Sequence, residues 1–281
     1  MLITSIIFSK DRPAQLDLCL SSIERNFKDC GRTTVLYNNS KDFVDSYKIV
    51  QKEHPDTFFW PQGISLYKDV YAAISTVQDD YVCFFTDDDI FFASLKTIPL
   101  KSILDNKDVT CVSLRLGFNI CQRQHGDNIY HDRINEHIVK DNFIWWPRTA
   151  YLYGSYWSYS LSVDGHIFRK SDLLDMFDEL CYLESKYKWK QTPNELEGAL
   201  QRFWAIAPNV MVCPQHSVVV NSPNNRVQDT HADNRAGDVH ATDNHFLLKK
   251  YISGERINLK QLSFNNIRCP HHEIDILKGL Q

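Results

Sequence analysis

Asp87, Asp88 and Asp89 stand together at the end of an apolar run, Tyr-Val-Cys-Phe-Phe-Thr at 81–86, and the apolar Ile90, Phe91 and Phe92 follow directly. Three unpaired carboxylates in such a setting repel one another strongly unless a divalent cation is shared between them. Asp87 and Asp89 are one residue apart, so both can turn toward one ion. The continuous apolar run reads as a buried parallel strand. Open α/β sheets gather their ligands at the carboxyl ends of such strands. The competing structural reading is a solvated acidic turn.

The elements that must position this triplet are legible upstream. Residues 2–8 are an apolar strand. Asp11 is placed to cap a helix with Pro13 in its first turn, and Leu16, Leu20, Ile23 and Phe27 mark its inner face. Strands at 33–38 and 57–60 alternate with helices at 41–53 and 66–77 before the strand that leads into Asp87. This β-α alternation implies an α/β fold with a mostly parallel sheet flanked by helices. Beyond Phe92 a strand is expected at 109–116, outward loops at 117–142, and helices at 170–187, 194–204 and 243–252. The stretch 214–244 is rich in Asn, Asp and His and reads as a long loop. The expected organisation is one domain over 1–213, divided into halves at 92/93, with a C-terminal extension over 214–281 able to supply an active-site lid.

Composition narrows the classes. A formal charge of −4 argues against general nucleic-acid binding. No apolar run approaches the length of a membrane span, and the N-terminus turns polar too soon for a signal peptide. Eight cysteines without a CxxC pair favour reduced thiols and a cytoplasmic setting. A dinucleotide GxGxxG, a phosphate-binding Gly-Lys-Ser/Thr loop and a GxSxG elbow are all missing from the sequence.

An opening strand followed by Ser9-Lys10-Asp11-Arg12-Pro13, a polar end to the second strand, and an Asp-x-Asp closing a later strand resemble the GT-A class of nucleotide-sugar glycosyltransferases, in its broad family-2-like group. The resemblance covers 1–90 well; Asp164-Gly165-His166 and Pro193-Asn194-Glu195-Leu196-Glu197 resemble the acceptor half more loosely. It implies that Asp87 and Asp89 hold Mn²⁺ or Mg²⁺ on the diphosphate of a UDP- or GDP-sugar, with Asp88 facing sugar or ribose. Ser9, Asp11 and Arg12 would flank the nucleoside, Arg12 being an exposed arginine at a helix start. Asn38, Asn39 and Ser40 would read the base, and Gln62 and Lys68 would complete that wall. His216 would complete the metal site and Arg226 would clamp the diphosphate; His231 and His240 are further late-chain histidines.

Two glutamates compete for the catalytic base. Thr192-Pro193-Asn194-Glu195 fits a capping box, which gives Glu195 a structural task. Glu197 has no such task and is favoured as the base, with Glu195 and then Asp164 behind it. The aromatic run 145–159, which includes Tyr153, could stack on an acceptor sugar, Trp157 foremost. The resulting expectation is a metal-dependent, inverting transfer of a sugar to a saccharide or other hydroxyl acceptor. The alternatives are a nucleotidyltransferase, disfavoured by the missing Gly-rich loop, and a non-catalytic carbohydrate-binding protein.

Overall fold

A computed structural model describes residues 2–28, 30–95, 100–125, 128–152, 154–228 and 235–281. Tyr153 and His231 lie outside the described residues. The alternation read from the sequence is present: β1 (Ile3–Lys10), α1 (Pro13–Asn26), β2 (Cys30–Asn38), α2 (Val44–Glu53), β3 (Thr57–Pro61), α3 (Leu66–Thr76) and β4 (Tyr81–Thr86). β1 pairs in parallel with β2 on one side and β4 on the other, and β3 continues the parallel set beyond β2. Flanked on both edges, β1 is buried from Ile3 to Ser9, as its near-continuous apolar sequence requires.

The second half adds β5 (Asp89–Phe91), α4 (Leu100–Asp105), β6 (Val109–Ser113), β7 (Gln122–His125), β8 (Asn128–His131), β9 (Ile138–Lys140) and β10 (Phe143–Pro147). β11 (His166–Arg169), α5 (Lys170–Glu184), α6 (Pro193–Leu200), β12 (Val210–Pro214), β13 (Val219–Asn221) and α7 (Asn244–Ile252) complete it. The main sheet runs β3-β2-β1-β4-β11-β6-β12-β10-β9. β11 lies antiparallel between β4 and β6, so the sheet is mostly parallel around β1 and mixed beyond β4. β5 and β13 form a separate antiparallel ribbon in which Asp89 pairs with Asn221.

Several elements differ from expectation. The stretch 117–142 holds the β7–β8 hairpin and β9, an edge strand whose three residues are all exposed. Within the expected long loop, Val219–Asn221 forms β13 because β5 offers it a partner. Asp11 does not cap α1: it has φ 53°, Arg12 occupies the cap position without a side-chain bond, and Asp11 Oδ1 accepts from Ser40 N at 2.6 Å. Its carboxylate therefore ties the ends of β1 and β2 together. Trp157 is fully buried against Trp146 and donates to Asp132 O at 2.9 Å, so it belongs to the core and not to a sugar platform. Leu247, Leu248 and Tyr251 of α7 join the same hydrophobic core as β1.

Candidate active site

The acidic triplet sits where β4 ends beside β1. Asp87 N donates to Phe8 O at 3.0 Å, one last ladder bond before the chain turns. Asp87 Oδ2 then accepts from Ser9 Oγ at 2.9 Å and Lys10 N at 3.0 Å. Asp89 closes the turn, its Oδ2 accepting from Thr86 N at 2.9 Å. That bond turns Asp89 inward, to 1% exposure, and leaves Asp87 and Asp88 as the members of the triplet that line the cleft.

Arg12 is buried, at 8% exposure, and not an exposed helix-start residue. Its Nη1 donates to Asp87 Oδ1 at 3.0 Å and Asp88 Oδ2 at 2.8 Å, while Nε donates to Asn225 Oδ1 at 2.7 Å. Asn221 Nδ2 clamps the triplet from the far side, reaching Asp88 Oδ1 at 2.8 Å and Asp89 Oδ1 at 3.3 Å. Its Oδ1 lies 3.1 Å from His271 Nδ1, and His271 Nε2 lies 3.4 Å from Arg115 Nη1. Arg115 in turn donates to Asp164 Oδ2 at 3.0 Å and Ser162 Oγ at 2.8 Å.

Charge in this network is unbalanced. The carboxylates of Asp87, Asp88, Asp89 and Asp164 are bonded into it, against the two guanidiniums of Arg12 and Arg115. Burial raises the Asp87 carboxyl to about 6 despite Arg12, with Asp88 pushing the same way. Burial, then Asp164 and Asp88, raise the Asp89 carboxyl as well. Burial, reinforced by Arg115, lowers His271 to about 4, so its ring is neutral at pH 7.

Across the cleft, Thr192 caps α6 by accepting from Glu195 N at 3.3 Å, and Glu195 sits in that first turn. Glu197, on the next part of the helix, lines the cleft. Its Oε1 accepts from Val163 N at 3.0 Å, and Ser162 and Tyr159 also bond to it. Burial and Asp164 raise its pKa, against Arg115.

The cleft encloses about 640 Å³. Of the residues singled out in the sequence, Ser9, Arg12, Asn38, Gln62, Asp87, Asp88, Asp164, Glu197 and Arg226 line it. Asp11, Asn39, Lys68, Asp89 and Glu195 do not; Lys68 is exposed on the first turn of α3. His216 is also elsewhere, in a shallow hollow with Phe92, Asn119 and Phe264. The backbone there is pinned against Gly117, where a Cβ would lie 2.6 Å from His216 C, and the chain reaches the cleft only at Asn221. The late-chain histidine that does line the cleft is His271.

Arg115, Asn221 and His271 are site residues that the sequence does not single out. The available signals were faint: an arginine between Leu114 and Leu116 in an apolar strand, and an asparagine ending Val218-Val219-Val220.

The oxygen-rich donor set and the charge deficit suit a hard divalent cation. Among the described residues no group of three or more His, Cys, Asp or Glu side chains is gathered to hold a metal. Two cleft-facing carboxylates match the habit of Mg²⁺-like ions, which take one or two protein carboxylates and complete their shell with phosphate oxygens and water.

No protein-family model matches the chain, and no curated protein sequence does. Among solved structures, the chain is similar to S. aureus TarS at 15% identity and TM-score 0.40, covering 63% of this chain and 30% of that one. TarS 1–349 in complex with UDP-GlcNAc is similar at 15% identity and TM-score 0.43, covering 76% and 56%. The mannosyltransferase PcManGT from Pyrobaculum calidifontis, in complex with GDP-Man and Mn²⁺, gives 12% identity and TM-score 0.31, covering 40% and 34%. The chain thus spans well under two thirds of each of these proteins. These partial overlaps decide nothing about chemistry.

Proposed function

We propose that this chain is a GT-A-type glycosyltransferase that moves a sugar from a nucleoside diphosphate sugar to a hydroxyl acceptor. The observation that carries the reading is one cleft lined by Asp87 and Asp88, bridged by Arg12, at the carboxyl end of β4, and by Glu197. Its volume suits a nucleotide-sugar. Ser9, Asn38 and Gln62, at the ends of β1, β2 and β3, form the wall for base and ribose. Arg12 and Arg226 face the diphosphate. Asp87 and Asp88 would hold Mn²⁺ or Mg²⁺, which when bound neutralises the charge developing on the departing diphosphate.

Glu197, its pKa raised by burial and by Asp164, takes the proton of the acceptor hydroxyl. That oxygen forms a bond to the anomeric carbon as the carbon–phosphate oxygen bond breaks, and the bonding pair leaves with the diphosphate. Attack from the face opposite the leaving group inverts the anomeric centre. Arg115 orients Asp164 and Ser162 beneath the reacting groups, and His271, held neutral, steadies Asn221 behind Asp88.

The test is thermal denaturation with UDP or GDP, with Mn²⁺ or with EDTA. Ligand binding raises stability with the logarithm of ligand over its dissociation constant. The expected result is a larger shift with Mn²⁺ than with EDTA, lost in Asp87→Asn and Asp88→Asn. Failure of every nucleoside diphosphate to shift the melting temperature would sink the proposal. Release of pyrophosphate from a nucleoside triphosphate would instead assign a nucleotidyltransferase.

A further inference from the structure

Past the end of α5 the chain reads Lys186-Tyr187-Lys188-Trp189-Lys190, a lysine at every second position with an aromatic between. All three lysines are exposed. Tyr187 and Trp189 stack at 5.8 Å with their planes 12° apart, and Arg202 lies over both rings at 5.5 and 5.1 Å. Trp189 packs inward on Tyr67, 5.2 Å away, and holds the exposed Tyr187 among these cations.

The loop after β3 is fastened to this segment. Gln62 Nε2 donates to Gln191 O at 3.1 Å, Leu66 N donates to Gln191 Oε1 at 2.6 Å, and Ser65 Oγ donates to Glu184 Oε2 at 2.5 Å. Between these anchors Ile64 is 98% exposed, and Ile206, four residues past Arg202, is 79% exposed. Two acids at these anchors are engaged: Glu184 by Ser65 and by Gln191 Nε2 at 2.8 Å, Asp69 by Gly63 N at 2.7 Å. What faces outward, beside Gln62, Gln191 and Thr192 where the cleft lining begins, is lysine, the exposed Tyr187 and the bare Ile64.

We propose that this rim seats the protein on the surface of an anionic lipid bilayer. Lysines near such a surface are attracted by its negative potential. Tyrosine and tryptophan settle at the headgroup level, and exposed apolar side chains dip toward the acyl boundary. A charged polymer would occupy the lysines but leaves Ile64 without a partner; a bilayer surface takes both. Among the described residues no helix is long and apolar enough to cross a membrane, so the contact is peripheral. The cleft then opens along the lipid surface. This inference does not depend on the donor chemistry proposed above, and its readout involves neither nucleotide nor turnover.

The experiment is flotation of the whole chain with vesicles of phosphatidylcholine alone and of phosphatidylcholine with phosphatidylglycerol. Binding is expected only with the anionic vesicles, and it should weaken with salt. Lys186→Glu/Lys188→Glu/Lys190→Glu should lower the partition coefficient on the order of 100-fold or more. Ile64→Ser should weaken it severalfold, and both variants should keep the parent melting temperature. Equal binding to both vesicle types, or partition unchanged by either variant, overturns the proposal. So does capture by heparin without any vesicle binding, which would assign the rim to an anionic polymer.

Discussion

Arg12→Met is the most informative single perturbation, because it keeps the length of the stem and deletes the guanidinium. In the native site that group is within 3.0 Å of Asp87 and 2.8 Å of Asp88, both carboxylates nearly enclosed. Deleting one partner of a buried ion pair leaves an uncompensated charge and costs about 3–5 kcal/mol. An unfolding entropy of about 2.1 cal/mol/K per residue gives roughly 0.6 kcal/mol/K for 281 residues, so the melting temperature should fall by about 5–8 °C near neutral pH. The pH dependence sharpens the test. Burial already raises the Asp87 carboxyl to about 6, and losing Arg12 raises it further. A carboxyl with a raised folded-state pKa binds more protons folded than unfolded, so stability rises as pH falls. The deficit of the variant should therefore be widest above about pH 7 and shrink toward about pH 5. Adding Asp87→Asn should recover part of it, because the two residues are directly coupled. Thermal or urea denaturation across that range measures all three quantities. A loss below about 1 kcal/mol with no pH dependence would mean Arg12 behaves as a solvated surface residue, and the charge argument would fall.

Glu197→Gln should lower turnover by about 10²–10⁴-fold with nucleotide affinity nearly unchanged, whereas Glu195→Ala should retain most activity and lose well under 2 kcal/mol of stability; steady-state kinetics and melting curves separate the two, and the opposite pattern moves the base to Glu195. His54 sits between Asp17 Oδ1 at 2.9 Å and Glu24 Oε1 at 2.7 Å, and although burial opposes its charge, these carboxylates raise it to about 9. Its contribution, roughly 2 kcal/mol after discounting the exposed Glu24, is fully present below about pH 6.5 and lost as pH rises through about 9; His54→Phe should flatten stability over that window, and an unchanged slope would refute the assignment. Gly117→Ala would place a Cβ 2.5 Å from Ser217 N, so the 215–217 backbone must shift, at about 1–3 kcal/mol by denaturant titration; a neutral result would show that this contact yields freely.

The parallel half of the sheet was legible because each strand is a local apolar run ending in polar residues, and Pro13 and Thr192 mark helix starts by their own backbone chemistry. The middle of the sheet was not. β11 is four residues long and finds β4 and β6 by pairings across some 50–90 positions of sequence, which no local pattern announces. The same limit explains the acidic triplet. Strand alternation puts Asp87 and Asp89 on one face, but the strand ends at Thr86 and the turn brings Asp88 into the cleft instead. Arg115, Asn221 and His271 arrive from three distant segments, so their convergence is a property of the topology alone.

The clamp on that turn has a consequence for how the protein comes into being. Asp88 O accepts from Ser222 N at 2.8 Å, Asn221 grips the carboxylates, and Asn221 N is held in turn by Pro270 O at 3.0 Å. A nascent chain therefore carries its acidic turn with its bonds to β1 and Thr86 N but without this clamp, until residues more than 130 positions downstream have left the ribosome. Fragments released early should hold the turn on its β1 side only, and so lack a complete ligand site even where β1 to β4 have collapsed. Competence arrives late and all at once, which makes the completeness of the chain itself the condition for a working site.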